Sequence, residues 1–280
     1  MEKEYFLNKH GIDEVEFERT GIQWDDLEKV LEDYANRVSN YEETSNYIAD
    51  CLNGVKSIHS IKYRIKDPER LIEKIIRKAI IEPSEWINVK NYCYMIRDII
   101  GIRALHLFKE EWTEIHDYLT NNWELHSAPR AIYKKGDPEQ LLESYVSKGL
   151  TLNEHAHGYR SLHYNIKLRQ GRREMIAEIQ VRTLFEDAWS EIDHFLRYGA
   201  HEEIDFAEPY LGLLNNITSN ADEIASYVRR LQLGKSTREL KVGEEGLKDA
   251  TDRQVSEYDE QIKVRDMYKY VKQSNLLAHM

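Results

Sequence analysis

The chain has 280 residues, 41% of them hydrophobic and 32% charged, which suits a soluble globular protein with one large domain, or a medium domain plus an appendage. A net charge of −11 argues against an overall electrostatic grip on nucleic acid or anionic lipid, though not against a local basic pocket. No apolar run approaches the roughly 20 residues of a membrane span, the N-terminus lacks a signal-peptide pattern, and Cys51 and Cys93 form no CxxC, so the expected setting is the reducing cytoplasm.

In chain order, residues 1–22 are polar and show little periodicity. Residues 23–52 space Leu27, Val30, Leu31, Tyr34 and Val38 as a helix does. Residues 60–66 alternate as a strand, and Asp67-Pro68 then opens a helix to about residue 80, with Leu71, Ile72, Ile75 and Ala79 inward. The run 99–108 reads as an interior strand, 110–121 as a helix, and 123–134 as a strand with an edge or bulge at Pro129. Residues 137–146 read as a helix and 147–157 as a loop. Strands at 159–168 and 174–182 are joined by the hairpin Gln170-Gly171-Arg172-Arg173. Residues 183–196 are helical, with Leu184, Ala188, Trp189, Ile192 and Phe195 as the core stripe, and a second helical region spans 205–232. The segment 233–252 reads as a linker and 253–277 as a polar helix.

The most informative stretch is 177–183, in the strand that starts at 174. Read as a strand, it sends Met175, Ala177, Ile179 and Val181 to one face and Glu178, Gln180 and Arg182 to the other. An acid, an amide and a guanidinium in one row can bind a metal-phosphate group. Tyr159, Ser161 and His163 form a second polar row, and Lys62, Arg64 and Lys66 a third. Lys74, Arg77 and Lys78 share a helix face and could add charge against a polyphosphate. Asp98 stands at the edge of the apolar strand, a plausible place for a Mg²⁺ ligand, with Arg103 beyond it. Taken singly, each pattern also fits a solvated charged face, a helix cap or plain packing.

The ordered set is more specific than its parts. Tyr63-Arg64-Ile65-Lys66, Ile72-Glu73-Lys74 and Asp98 through Arg103 are followed by Gly158-Tyr159-Arg160-Ser161-Leu162-His163 and Glu178 through Thr183, and then by Trp189, Ile192 and His194. Over roughly residues 55–197 the chain resembles the synthetase domain of the RelA/SpoT family and, in size, the small alarmone synthetases. The resemblance implies a mixed sheet of about five strands flanked by helices, as in the nucleotidyltransferase superfamily. It also implies an N-terminal helical segment at 1–54, a synthetase domain at 55–200 and a C-terminal helical extension at 201–280.

By the same resemblance, the β,γ-pyrophosphate of ATP moves to the 3′-hydroxyl of GDP or GTP, giving (p)ppGpp and AMP. Arg64, Lys66, Lys74 and Arg103 would hold ATP. Asp98 and Glu178 would be the catalytic and Mg²⁺-binding acids, with Glu178 also facing the acceptor hydroxyl. Tyr159 would stack on the acceptor base, with His163, Gln180 and Arg182 beside it. The chain departs from the family pattern at Arg70, where serine is common, and at Asn153-Glu154-His155-Ala156-His157, where a lysine-containing loop is usual. Relatives with altered acceptor sites include toxins that modify the tRNA 3′ end, some restrained by an antitoxin, and makers of adenosine alarmones, so the acceptor stays open. A binding module without catalysis is the rival of another class. Roughly 55 residues precede the match, too few for the hydrolase domain of bifunctional relatives, and His116-Asp117 reads as incidental. The C-terminal helices are expected to mediate homo-oligomer assembly.

Overall fold

The computed structural model describes residues 2–83, 87–199 and 208–234. It divides into two compact units, Met1–His106 with Glu111–Arg182, and Leu107–Glu110 with Thr183–Met280.

The first unit begins with four helices: α1 (Lys3–Lys9), α2 (Glu14–Arg19), α3 (Trp24–Ala35) and α4 (Val38–Asn53). Two of them lie in the aperiodic region 1–22, too short to show a period. Their signals are local. Asp13 caps α2 by accepting from the Glu16 N–H at 3.0 Å. Gly11 and Gly21, with φ of 58° and 71°, close α1 and α2 in the left-handed conformation that glycine adopts without a Cβ penalty. Phe6, Leu7, Ile12, Phe17 and Ile22 are thereby buried. The single helix read over 23–52 is two, broken at Asn36-Arg37.

Then come β1 (Ser60–Ile65), α5 (Pro68–Ile81), the short α6 (Tyr92–Met95), β2 (Ile100–His106), α7 (Trp112–Asn122), β3 (Arg130–Tyr133), α8 (Glu139–Ser147), β4 (Thr151–Glu154), β5 (Ser161–Gln170) and β6 (Arg173–Thr183). Asp67 caps α5 as read, accepting from the Arg70 N–H at 3.1 Å. The strands form one six-stranded mixed sheet, ordered β1-β2-β6-β5-β3-β4. β3 and β4 are parallel, whereas β1–β2, β3–β5 and β5–β6 are antiparallel. Two expectations need correction. The segment 147–157 is not all loop: 151–154 is a sixth strand, exposed throughout on the sheet edge, where burial leaves no apolar pattern to read. The strand expected over 123–134 shrinks to the residues after Pro129, with only an isolated bridge from Leu125 to Ile166 before it.

One face of the sheet is core. Met175, Ala177, Ile179 and Val181 of β6 join Leu162, Tyr164 and Ile166 of β5 in the main hydrophobic cluster, each at most 4% exposed. The pleat sends the intervening polar residues to the opposite face. His116 belongs to the core side, where its Nδ1 meets the Tyr164 hydroxyl at 3.0 Å.

In the second unit, α9 (Leu184–Gly199) and α10 (Glu208–Gln232) are joined by the Trp189 indole N–H, which donates to the Leu211 carbonyl at 2.9 Å. The stripe expected on α9 is only partly inward. Trp189 is buried with Asp187, while Ala188, Ile192 and Phe195 are exposed: the face of α9 that meets α10 carries the indole and not the rest of the apolar stripe. Thr183 donates to the buried Asp222 carboxyl at 2.8 Å, and burial together with Glu186 pushes that acid up to about 8. The linker and final helix read over 233–277 lie, from 235 onward, outside the described residues. Ile179→Ala should lower the unfolding free energy by about 2–5 kcal/mol, whereas Leu152→Ala on the exposed edge strand should cost within about 0.5 kcal/mol, both read by urea denaturation.

Candidate active site

The polar face of β6 meets that of β5. The antiparallel register sets His163 opposite Gln180 and Asn165 opposite Glu178. From there a circuit of side chains closes on itself. The Tyr159 hydroxyl lies 3.1 Å from His163 Nε2, and His163 Nδ1 lies 3.2 Å from Glu178 Oε1. Gln180 Nε2 donates to Glu178 Oε2 at 2.7 Å, and Arg182 Nη2 donates to Gln180 Oε1 at 2.5 Å. The Arg182 guanidinium returns over the Tyr159 ring, 5.4 Å from its centroid. The network assigns the imidazole tautomer: Nδ1–H donates to the carboxylate and Nε2 accepts from the phenol. Tyr159 reaches this circuit from the segment before β5 rather than from the strand itself.

A second cluster forms around Asp98, in the turn ahead of β2. Lys66 Nζ donates to Asp98 Oδ2 at 2.7 Å. Lys74 Nζ, from α5, approaches Oδ1 at 2.8 Å as an ion pair outside aligned hydrogen-bond geometry. Arg64 lies along the sheet over Gly101, its Cγ and Nε 3.5 Å from where a Cβ would stand, and its charge acts on Lys66. Lys62 faces Arg103 across the β1–β2 pair, and Arg103 acts on Tyr159. Eight of the ten sequence-read site residues thus join two contact clusters, and Arg64 and Arg103 stand beside them on β1 and β2. Arg77 and Lys78, read as neighbours of Lys74, do not join: Arg77 bonds Glu73 and the His10 carbonyl, and Lys78 bonds Glu82. Arg70 likewise turns to Glu73, at 2.8 Å.

The electrostatics tie the two acids together. Burial alone would raise Asp98, but Lys74 and Lys66 outweigh it and hold the carboxyl below its usual range. Burial also opposes ionisation of Glu178. The His163 and Gln180 donors, with the charge of Lys74, overcome it and bring Glu178 down to about 2. One ammonium, Lys74, therefore acts on both carboxylates. Lys66 is pulled downward, since its own burial and the neighbouring Lys74 and Arg64 outweigh Asp98. Both members of that ion pair are therefore pulled downward, which favours the charged form of Asp98 but opposes that of Lys66: the carboxylate has two cations beside it, whereas Lys66 is buried with two other cations and one acid.

Among the described residues, no group of three or more His, Cys, Asp or Glu side chains is placed to hold a metal. Two hard carboxylate donors nonetheless fit Mg²⁺, which takes one or two protein carboxylates and completes its shell with phosphate oxygens and water. Asn165, missed by the sequence reading, continues the row of Ser161 and His163. Its Oδ1 is buried opposite Glu178 and accepts no hydrogen bond among the described residues. The period-2 signal that found His163 also covers it. Three of the imidazole and phenol rings, His155, Tyr159 and His163, form edge contacts at 5.5 and 5.9 Å.

A carboxylate depressed in the fold stabilises the protein above its ordinary pKa and loses that contribution as pH falls toward the depressed value. For Glu178, from the ordinary 4.5 down to about 2, this is on the order of 3 kcal/mol. Between pH about 5 and 2, wild type should therefore lose stability faster than Glu178→Gln, with parallel urea-unfolding curves as the contrary result.

Residues 63–203, half of the chain, match the family described as the region found in RelA / SpoT proteins. The GTP pyrophosphokinase YwaC of Bacillus subtilis (strain 168) is 27% identical over 224 residues, spanning 75% of this chain and 93% of YwaC. The small alarmone synthetase 1 of Bacillus subtilis superposes with a TM-score of 0.56 at 20% identity, over 72% of this chain and 98% of that one. The same synthetase bound to its product pppGpp gives 0.52 at 20% identity, over 70% and 96%. The chain belongs to the RelA/SpoT family.

Proposed function

We propose that the chain is an ATP-dependent nucleotide pyrophosphokinase that makes (p)ppGpp from GDP or GTP. The observation that carries this reading is the pair of acids, the buried Asp98 and the largely covered Glu178, under the shared charge of Lys74 and with Arg64, Lys66 and Arg103 near them. A similar protein is named a GTP pyrophosphokinase, and a similar synthetase holds pppGpp.

In the reaction, the acceptor 3′-oxygen attacks the β-phosphorus of ATP. The bond between the bridging oxygen and the β-phosphorus breaks, and AMP leaves with that oxygen. Phosphoryl chemistry of this kind depends on in-line positioning and charge neutralisation. Arg64, Lys66, Lys74 and Arg103 neutralise the triphosphate. Asp98 and Glu178 would hold Mg²⁺, which supplies further charge compensation on the phosphate oxygens. Glu178 orients the acceptor hydroxyl as a hydrogen-bond acceptor. Held near 2, it passes the proton on to solvent instead of keeping it. His163 and Gln180 fix the carboxylate, and Tyr159 under the Arg182 guanidinium offers a flat face to the acceptor base.

The test is incubation with γ-labelled ATP and, separately, GDP, GTP, an adenosine nucleotide or bulk tRNA. AMP release with label on GDP or GTP is expected. Label on tRNA or on adenosine would reassign the acceptor and point to a toxin-like role, with an antitoxin as its expected partner. ATP binding without AMP release would make the chain a binding module. Asp98→Asn and Glu178→Gln should fold and lose AMP release by at least about a hundredfold; full activity in either would show that the acids are wrongly assigned.

A homo-oligomer through the C-terminal helices belongs to the same proposal. Tyr210, Ile217, Ile224 and Leu231 recur at heptad spacing on α10, each about half exposed, and a seam of that period suits a helix of a second copy. Ile217→Glu with Ile224→Glu should reduce the mass seen by light scattering to that of one chain; an unchanged mass would exclude this seam.

A further inference from the structure

The corner between β1 and α5 is pinned from several sides. Lys66 follows the last residue of β1, and its backbone N–H donates to the Ile99 carbonyl at 2.9 Å. Its side chain reaches Asp98. Its carbonyl accepts from the hydroxyl of Tyr34, on α3. The next residue, Asp67, caps α5, and α5 carries Lys74 to the same acid. A tilt of the peptide after Lys66 would therefore move both ammonium groups that meet Asp98.

Tyr34 is itself held. It is 1% exposed, and its ring packs 5.6 Å from Tyr41 and 6.5 Å from Tyr92, centroid to centroid. The hydroxyls of Tyr41 and Tyr92 bond each other at 2.9 Å, and Tyr92 donates to Asp33 at 3.0 Å. Asp33 also takes Arg37 at 2.9 Å and Arg173 at 2.8 Å, the latter from the start of β6. Burial, with Tyr41 and Asp67 nearby, pushes the Tyr34 phenol upward, so it stays protonated and able to donate.

We propose that Tyr34 is a positioning residue for the ATP site: from an N-terminal helix, its hydroxyl sets the corner that presents Lys66 and Lys74 to the polyphosphate. The assignment of those lysines to ATP rests on the pyrophosphokinase reading. The decisive readout is binding of a non-hydrolysable ATP analogue, which does not need turnover. Absence of AMP with every acceptor would defeat the pyrophosphokinase reading while the binding comparison still decides the role of Tyr34.

The experiment compares Tyr34→Phe with Tyr41→Phe, which removes a hydroxyl from the same aromatic cluster without touching Lys66. Tyr34→Phe should weaken analogue binding and raise the KM for ATP about tenfold, with the acceptor KM unchanged. Tyr41→Phe should lower Tm to a similar degree and bind the analogue like wild type. Wild-type binding by Tyr34→Phe, equal weakening in both variants, or a parallel rise in acceptor KM would overturn the proposal. A second readout needs no variant. Hydrogen exchange of wild type with the analogue should slow together in 64–70 and 30–36; slowing confined to 64–70 would also overturn it.

Discussion

A buried carboxylate has to be compensated, and the candidate site is organised around that requirement. Removing one partner of a buried pair typically costs about 3–5 kcal/mol, because the remaining charge is left without water or counter-charge. Asp98 is 9% exposed and meets this demand with two ammonium groups. Both come from one short stretch of chain: Lys66 just after β1 and Lys74 on α5, which starts at the Asp67 cap. A strand-to-helix corner thus delivers two cations to one acid. Lys74 then extends its field to Glu178 on β6. The two clusters are thus linked by the charge of one ammonium group.

The other half of the site depends on the pleat. A strand that buries every second residue must present the remaining ones together, and β5 and β6 do so side by side. Hence His163, Glu178, Gln180 and Arg182 line up, and Tyr159, from the segment before β5, closes their circuit. Each residue bonds or packs on the next, although Arg182 donates to Gln180 only from Nη2 and its buried Nε and Nη1 make no hydrogen bond among the described residues. The circuit also limits Glu178 chemically. A carboxylate pulled down to about 2 by its donors stays charged well below neutral pH, which leaves it little capacity to hold a proton.

These two constraints also explain what the sequence could reveal. Alternation in 174–183 and the Asp67-Pro68 start of α5 are enforced by burial and capping, so they show in residue type. β4 has no buried face, and its four residues carry no pattern. The short helices α1 and α2 complete too few turns for a period, and only Asp13, Gly11 and Gly21 mark them. On α9 the periodic stripe misled: Trp189 packs inward and bonds Leu211, while Ala188, Ile192 and Phe195 stay exposed, and apolar spacing alone does not say which part of a stripe finds a partner. The residue types of the site were legible. Their pairing was not: that Arg77 turns to His10 while Lys74 turns to Asp98 is decided by the packing of α5, not by helical spacing.

The limits of the family match are therefore not the limits of the working unit. The match begins at residue 63, yet α3 and α4 pack where the match cannot see them, and Tyr34 and Asp33 reach Lys66 and Arg173 within it. Asp33 gathers Arg37, Arg173 and the Tyr92 hydroxyl and stays below the ordinary carboxylate range despite its burial. That knot joins α3, the segment around α6 and the first residue of β6. β6 carries Glu178 and β1 leads to Lys66, so the N-terminal helices brace the two strands on which the opposing charges stand. The motif residues supply the charges, and hydroxyls and rings outside the motif bond the chain beside them.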